Sequence, residues 1–269
     1  MTEQTTQKKY ELLKDDTVEH FGRTLYRIKA LITFGLVGAG QLGGYIETEK
    51  NLDHSGNAWV YDNARVCGDA CVYGNAGVYD NAWVYGNAGV YGNARVFGNA
   101  RVFGNARVYG NARVYGKAWV FGNARVFGDA RVCGDACVYG NAGVCGDARV
   151  YDIARVFGDA RVCGDACVYG NAGVCGDARV YDIARVFGDA RVRSFAVISE
   201  RKMIFWASNV GSENGTLTVF NGKFGLIVTR GCFTGTVDEF LSKSKEVHDD
   251  KTHHEYKLLI EVAQSRILN

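Results

Sequence analysis

The sequence predicts an all-β fold: a parallel solenoid, preceded by a small capping segment and followed by an α+β domain. Three observations carry this. Valine recurs every six residues from Val60 to Val192, at 23 positions without exception. Alanine stands two residues before each of them, from Ala58 to Ala190. Glycine is abundant, at 35 residues, and proline is absent, where an average chain of this length carries roughly 13.

The repeating unit reads Val-[aromatic or Cys]-[Gly or Asp]-[Asn or Asp]-Ala-x, as in Val96-Phe97-Gly98-Asn99-Ala100-Arg101. Alternate side chains of an extended segment point to opposite faces. Ala and Val therefore point one way, and Arg and the aromatic point the other. Gly-Asn or Gly-Asp makes the corner, because these residues tolerate positive φ. Three hexads close one triangular coil of 18 residues, and stacked coils pair as parallel strands about 4.8 Å apart. A helix is excluded, since a period of six does not match 3.6 and Val with Gly in every unit disfavours it. The repeat occupies 53–193, which gives about seven to eight coils.

The flanks differ from the repeat. Residues 1–52 are mixed, with a strand-like Arg23-Thr-Leu-Tyr-Arg-Ile and a glycine-rich stretch at 35–44. Residues 194–269 hold strand candidates at Ala196-Val-Ile-Ser, Met203-Ile-Phe-Trp-Ala-Ser, Gly215-Thr-Leu-Thr-Val-Phe and Phe224-Gly-Leu-Ile-Val-Thr. Thr236-Val-Asp-Glu239 and Thr252-His-His-Glu255 are spaced as capping boxes, each opening a helix. A solenoid needs both ends covered, and these flanks are the natural caps.

The repeat resembles the hexapeptide-repeat left-handed parallel β-helix, and the left-handed winding is what that resemblance implies. Phe21-Gly-Arg-Thr-Leu-Tyr-Arg-Ile, Leu42-Gly-Gly-Tyr-Ile-Glu and Gly231-Cys-Phe-Thr-Gly with Asp238-Glu-Phe extend the likeness to both ends. There the chain is similar to uncharacterised polymer-forming-type proteins of bacteria and their phages. That group implies a fold and no chemistry. The enzymes of the hexapeptide fold carry a small residue where this chain has Tyr, Phe or Cys.

Composition excludes several classes. Apolar residues make up 47% and the net charge is +2, so neither disorder nor a bulk-charge nucleic-acid protein is indicated. No apolar run reaches the roughly 18 residues of a membrane span. No secretory signal is visible, and nine cysteines then suggest thiols in a reducing cytoplasm. Acyltransferases and carbonic anhydrases of this fold need histidine. His20, His54, His248, His253 and His254 all lie outside the 23 units. No catalytic residue, metal or cofactor is therefore expected, and a degenerate transferase is the remotest alternative.

Binding residues are expected on the outward columns. Arg95, Arg113, Arg131 and Arg149 are spaced by 18 and form one column, and Tyr91 and Tyr109 belong to an aromatic column. Arg beside aromatic rows is the chemistry of single-strand or polyanion binding; the alternative is a self-stabilising ladder, with corner Asp compensating Arg. Cys145 and Cys163, also 18 apart, should stack, although the thiols are expected to be mostly reduced. In the tail, Arg230 and Thr236 frame a turn before a helix start, where backbone N–H groups attract anions. The turn's Cys232 is expected to be buried and the nearby histidines to lie in an inter-helix loop. The sequence thus points to a non-enzymatic rod that spaces or presents its end domains, through a protein partner, self-association or a polyanion. Residues 133–162 and 163–192 are identical. Thirty residues are five hexads, so the copies place the same side chains on different faces, which argues against a face-specific site there.

Overall fold

The structure, a computed structural model, describes residues 8–269. The chain divides into two compact units, one ending at Asp135 and the other beginning at Ala136. Both are built on β-solenoid coils, about nine turns in all. Every repeat Val, and every repeat Ala to within 1%, is inaccessible to solvent. Arg95, Arg113 and Arg131 are exposed. The inward and outward assignment follows from the alternation alone.

The ladder is denser than the two-residue rungs suggest. In one hexad Arg95 N–H donates to the Ala112 carbonyl at 2.9 Å, Phe97 N–H to Val114 at 3.0 Å and Asn99 N–H to Gly116 at 2.7 Å. Pairing thus continues through the corner. Only the first corner residue takes positive φ, as at Gly92 (φ 70°). A Cβ there would stand 3.0 Å from the Gly110 nitrogen of the next coil, so conformation and close stacking both select glycine. Asp62, Asp80, Asp152 and Asp182 fill the same slot at φ 52–60°.

In the first unit, β1 (Tyr10–His20) and β2 (Arg23–Ala30) form an antiparallel hairpin, with a bulge between Leu13 and Thr17. The bulge breaks the alternation that would have announced β1 in the sequence. Strand β3 (Leu42–Ile46) pairs antiparallel with β2 and parallel with the rung Arg65–Val66. The solenoid ladder therefore starts at β3, ahead of the first perfect hexad, and reaches about nine turns rather than seven to eight. The spacing hid this rung because it carries Gly43 and Gly44. A Cβ at these positions would stand 2.6 Å from the Val60 carbonyl oxygen and 2.5 Å from that of Ala64.

In the second unit, the last rung, Val197–Ile198, is followed by a four-stranded antiparallel sheet: β4 (Ile204–Val210), β5 (Gly215–Gly222), β6 (Gly225–Arg230) and β7 (Phe233–Thr236). Helices α1 (Val237–Val247) and α2 (Asp250–Leu268) cover it. Leu217, Val219 and Val228 pack with Phe240, Tyr256, Ile260, Ala263 and Ile267. The last four of these fall on one stripe of α2, at the spacing a helix face requires.

Three sequence expectations are corrected here. The box at Thr236 is present, with Glu239 closing it. The second helix starts earlier than Thr252: its N-cap is Asp249, whose carboxylate accepts from Thr252 N–H. The capping spacing also fits Asp249 to Thr252, and a carboxylate at a helix start gains from the exposed N–H groups. His253 and His254 consequently lie within α2, not in a loop, and His248 is the C-cap of α1. Cys232 is exposed rather than buried.

Candidate functional site

The predicted residues fall into four separate places. Arg95, Arg113 and Arg131 are direct ladder partners on one sheet of the first unit. The rings beside them on that face are Phe97 and Tyr115, stacked at 4.8 Å with parallel planes. Tyr91 and Tyr109 are not on that face. They follow the rungs Gly89–Val90 and Arg107–Val108, which belong to a different sheet. They stack on each other at 4.9 Å, within a column that runs from Tyr73 to Phe127. Arg149 belongs to the second unit, where its ladder partner is Cys167. Arg230 and Thr236 lie on the C-terminal sheet, at the ends of β6 and β7.

The rings' geometry limits what the columns can hold. Neighbouring rings lie 4.7–5.0 Å apart with planes within 6° from Tyr73 to Phe127. Each interior ring spends both faces on its neighbours and presents an edge to solvent. A base that stacks needs a free face, so a ligand along these columns meets ring edges and guanidinium groups. Burial pushes the Tyr109 hydroxyl up from its ordinary value. A hydrogen bond with Cys133, then burial, does the same for Tyr115.

Corner side chains form a second ladder that the hexad pattern did not reveal. Asn57, Asn75, Asn93 and Asn111 each donate a side-chain amide to the next residue in the column, at 3.0–3.2 Å, and the run ends on Asp129. An amide both donates and accepts, whereas a carboxylate only accepts, so Asp terminates such a run. Corner Asp also takes backbone N–H groups: Gly98 donates to Asp80, and Gly170 to Asp152. These carboxylates serve the stacking of coils.

A third column alternates cation and ring. The Arg101 guanidinium lies 4.8 Å from the Trp83 centroid and 5.1 Å from that of Trp119, and Arg65 lies 5.4 Å from Trp83. The hairpin tip closes over it, with His20 at 4.0 Å from Trp83. Leu25, Tyr45 and Cys67 form a small core beside it. The first-unit columns are therefore partly covered by the chain itself, which the outward assignment alone did not foresee. Below them, Lys9 is buried and donates to the Ala58 carbonyl at 2.9 Å. Burial drives its pKa down to about 8.

The tail residues are engaged as well. Arg230 donates through Nε to the Tyr256 hydroxyl at 3.0 Å and through Nη2 to the Val210 carbonyl at 3.2 Å. Thr236 caps α1, and its N–H donates to the Glu239 carboxylate at 2.8 Å. The anion-attracting helix start is thus already occupied by a carboxylate of the chain.

The thiols divide. Cys145 and Cys163 form a disulfide across adjacent coils, which corrects the expectation for this pair; the spacing of 18 placed them together. The other seven cysteines form no disulfide. Burial pushes the Cys67 and Cys175 thiols up, the opposite of an activated nucleophile. Among the described residues no three His, Cys, Asp or Glu side chains converge as a metal site needs. No helix among them is long and apolar enough to cross a membrane.

Five stretches, 88–104, 94–108, 106–120, 130–146 and 160–176, match the family described as YdcK beta solenoid repeat. All lie within the hexad region that forms the ladder. The chain is a repeat β-solenoid protein. No curated protein matches it.

Proposed function

We propose that this β-solenoid protein is a non-catalytic structural protein whose coils hold and present the C-terminal α+β domain, to a protein partner or to a second copy. The observation that carries this is how the sheet is seated. Arg191 N–H, on a terminal rung of the second unit, donates to the Thr218 hydroxyl at 3.0 Å. The Thr229 hydroxyl donates to the Arg191 carbonyl at 2.7 Å. Both threonines are buried. They satisfy backbone groups that the next coil would otherwise take, so the sheet is built onto the open end as a fixed mount. The kinship with hexapeptide-repeat proteins of bacteria and phages belongs to this reading, supported by the six-residue period, and the left-handed winding is what that resemblance implies.

Replacing Thr218 and Thr229 by Val tests the mount. Hydrogen-exchange protection of Arg191 N–H should fall, while the rungs below keep theirs; unchanged protection would contradict the seating. Purified protein should neither transfer an acetyl group from acetyl-CoA nor hydrate CO2. Turnover abolished by a single substitution would overturn the non-catalytic reading.

A second reading, binding of a polyanion, is favoured by the exposed column of Arg95, Arg113 and Arg131. It requires salt-dependent binding of a single-stranded oligonucleotide that is lost when these three are changed to Ala.

A further inference from the structure

We propose that the second unit holds a mononucleotide site, in which Arg185, Arg201 and Arg266 take the phosphate and the aromatic rings beside them take the base. The three arginines come from distant parts of the sequence: a solenoid rung, the 3-10 turn Arg201–Met203 and the last turn of α2. They line one cleft of about 450 Å³. Each guanidinium stays without an ion pair or side-chain hydrogen bond among the described residues, and no carboxylate lines the cleft. The column arginines such as Arg95 and Arg113 are also exposed but lie along one ladder, whereas these three converge from separate elements on one opening. Folding has gathered three fork-shaped donors on one opening without supplying their acceptor, and phosphate is the group such forks fit.

The rings make the site more specific than an anion patch. Tyr151, Tyr169 and Phe187 stack at 4.8–4.9 Å with planes within 4°. The stack stops at this cleft. Trp206 stands across Phe187 at 80°, 4.3 Å between centroids, so it ends the stack without continuing it. Phe205, on the C-terminal sheet and packed partly against that domain's core, also lines the cleft. Phe187 is thus covered by Tyr169 on one side and Trp206 on the other, and the ring left to receive a planar group is the half-buried Trp206, which stands edge-on to the stack and lines the cleft. Phosphate alone would not need the rings, and an apolar ligand would not need the arginines. The volume falls in the range of small-ligand clefts and suits one nucleotide rather than a strand. The site is independent of the mounting role, since none of its three arginines takes part in the seating of the sheet.

Titration calorimetry of the full chain with AMP, adenosine, inorganic phosphate and a single-stranded oligonucleotide tests this. AMP should bind one per chain, at least tenfold more tightly than adenosine or phosphate. Arg201→Ala with Arg266→Ala should weaken AMP tenfold or more, and Arg95→Ala with Arg113→Ala should leave it unchanged. Both pairs are exposed, and an unchanged circular-dichroism melt will establish that each variant folds. Arg201→Lys with Arg266→Lys should keep part of the affinity that the alanine pair loses. The proposal is overturned if AMP gives no heat at millimolar concentration, if adenosine binds as tightly as AMP, or if the two alanine pairs act alike. Binding of the oligonucleotide without AMP would also overturn it, in favour of a polymer surface.

Discussion

Coils of the first and second units share a valine core and a backbone ladder but are joined at the surface by different chemistry. In the first unit, four amides run from Asn57 to Asn111 and end on Asp129, beside the rings from Tyr73 to Phe127. In the second, Asn141 and Asn171 each donate directly to an Asp. Asp147 and Asp165 stand one coil apart in sequence, and the residues two before them are the disulfide pair Cys145–Cys163. Like charges facing each other across a ladder are unfavourable. The covalent bond sits beside the place where amide and ring contacts have been lost. Three kinds of cross-coil link are thus interchangeable, while the inward Val and Ala are not.

The largest effect should be the same in both units. Val114→Asp and Val150→Asp each place an unpaired charge among residues with no solvent access, at a cost of several kcal/mol. Thermal melting should show comparable losses, and Tyr115→Ser far less. A mild effect at one valine would mean that the two cores differ.

Removing the disulfide should separate the units. Closing a loop of this length stabilises by about 3 kcal/mol. Cys145→Ser with Cys163→Ser should reduce hydrogen-exchange protection at Arg149 and leave Arg95 unaffected. Titration of unfolded, unreduced protein should find the seven remaining thiols. Equal loss of protection in both units would contradict a local staple.

Corner substitutions should act with opposite signs. Asn93→Leu interrupts an amide run and should cost about 1 kcal/mol. Asp147→Asn with Asp165→Asn replaces facing carboxylates by a donor and an acceptor, and should stabilise by a few tenths of a kcal/mol. Chemical denaturation measures both. A loss at 147 and 165 would show that those carboxylates are already satisfied.

A pH-dependent effect belongs to the first unit alone. Burial lowers the Lys9 pKa from 10.5 to about 8, so from about pH 8 to 10.5 the unfolded chain binds the extra proton. Stability from this group therefore rises with pH across that window and is lowest below it. Tyr10, whose hydroxyl burial pushes up, works in the opposite direction above about pH 10. The difference between wild type and Lys9→Met isolates the lysine, and parallel curves from pH 8 to 10 would contradict it.

The sequence made the repeat legible because each hexad states its own conformation: alternation for the strand, glycine for the corner. It was less informative where contact replaces pattern. Strand β1 is bulged and β3 is written in glycines. The Thr252 box was a spacing that Asp249 satisfied three residues earlier. Arg95, Arg113 and Arg131 could be placed by counting in eighteens, but Tyr91 and Tyr109 are on another sheet, because the corner between them and the arginines turns the chain. Arg201 and Arg266 carry no periodic signal, and only the fold brings them to Arg185.

The central claim is that the 18-residue coil is an independent, interchangeable unit. Deleting 95–112 removes one coil and rejoins Ala94 to Arg113 with every column in register. Deleting 95–103 removes half a coil and sets outward residues against inward ones. The melting transitions of the two variants test the claim most directly. The 18-residue deletion should melt cooperatively within a few degrees of the intact chain, and the nine-residue deletion should show no cooperative transition. If both unfold, or both melt alike, the coil is not the unit that holds this protein together.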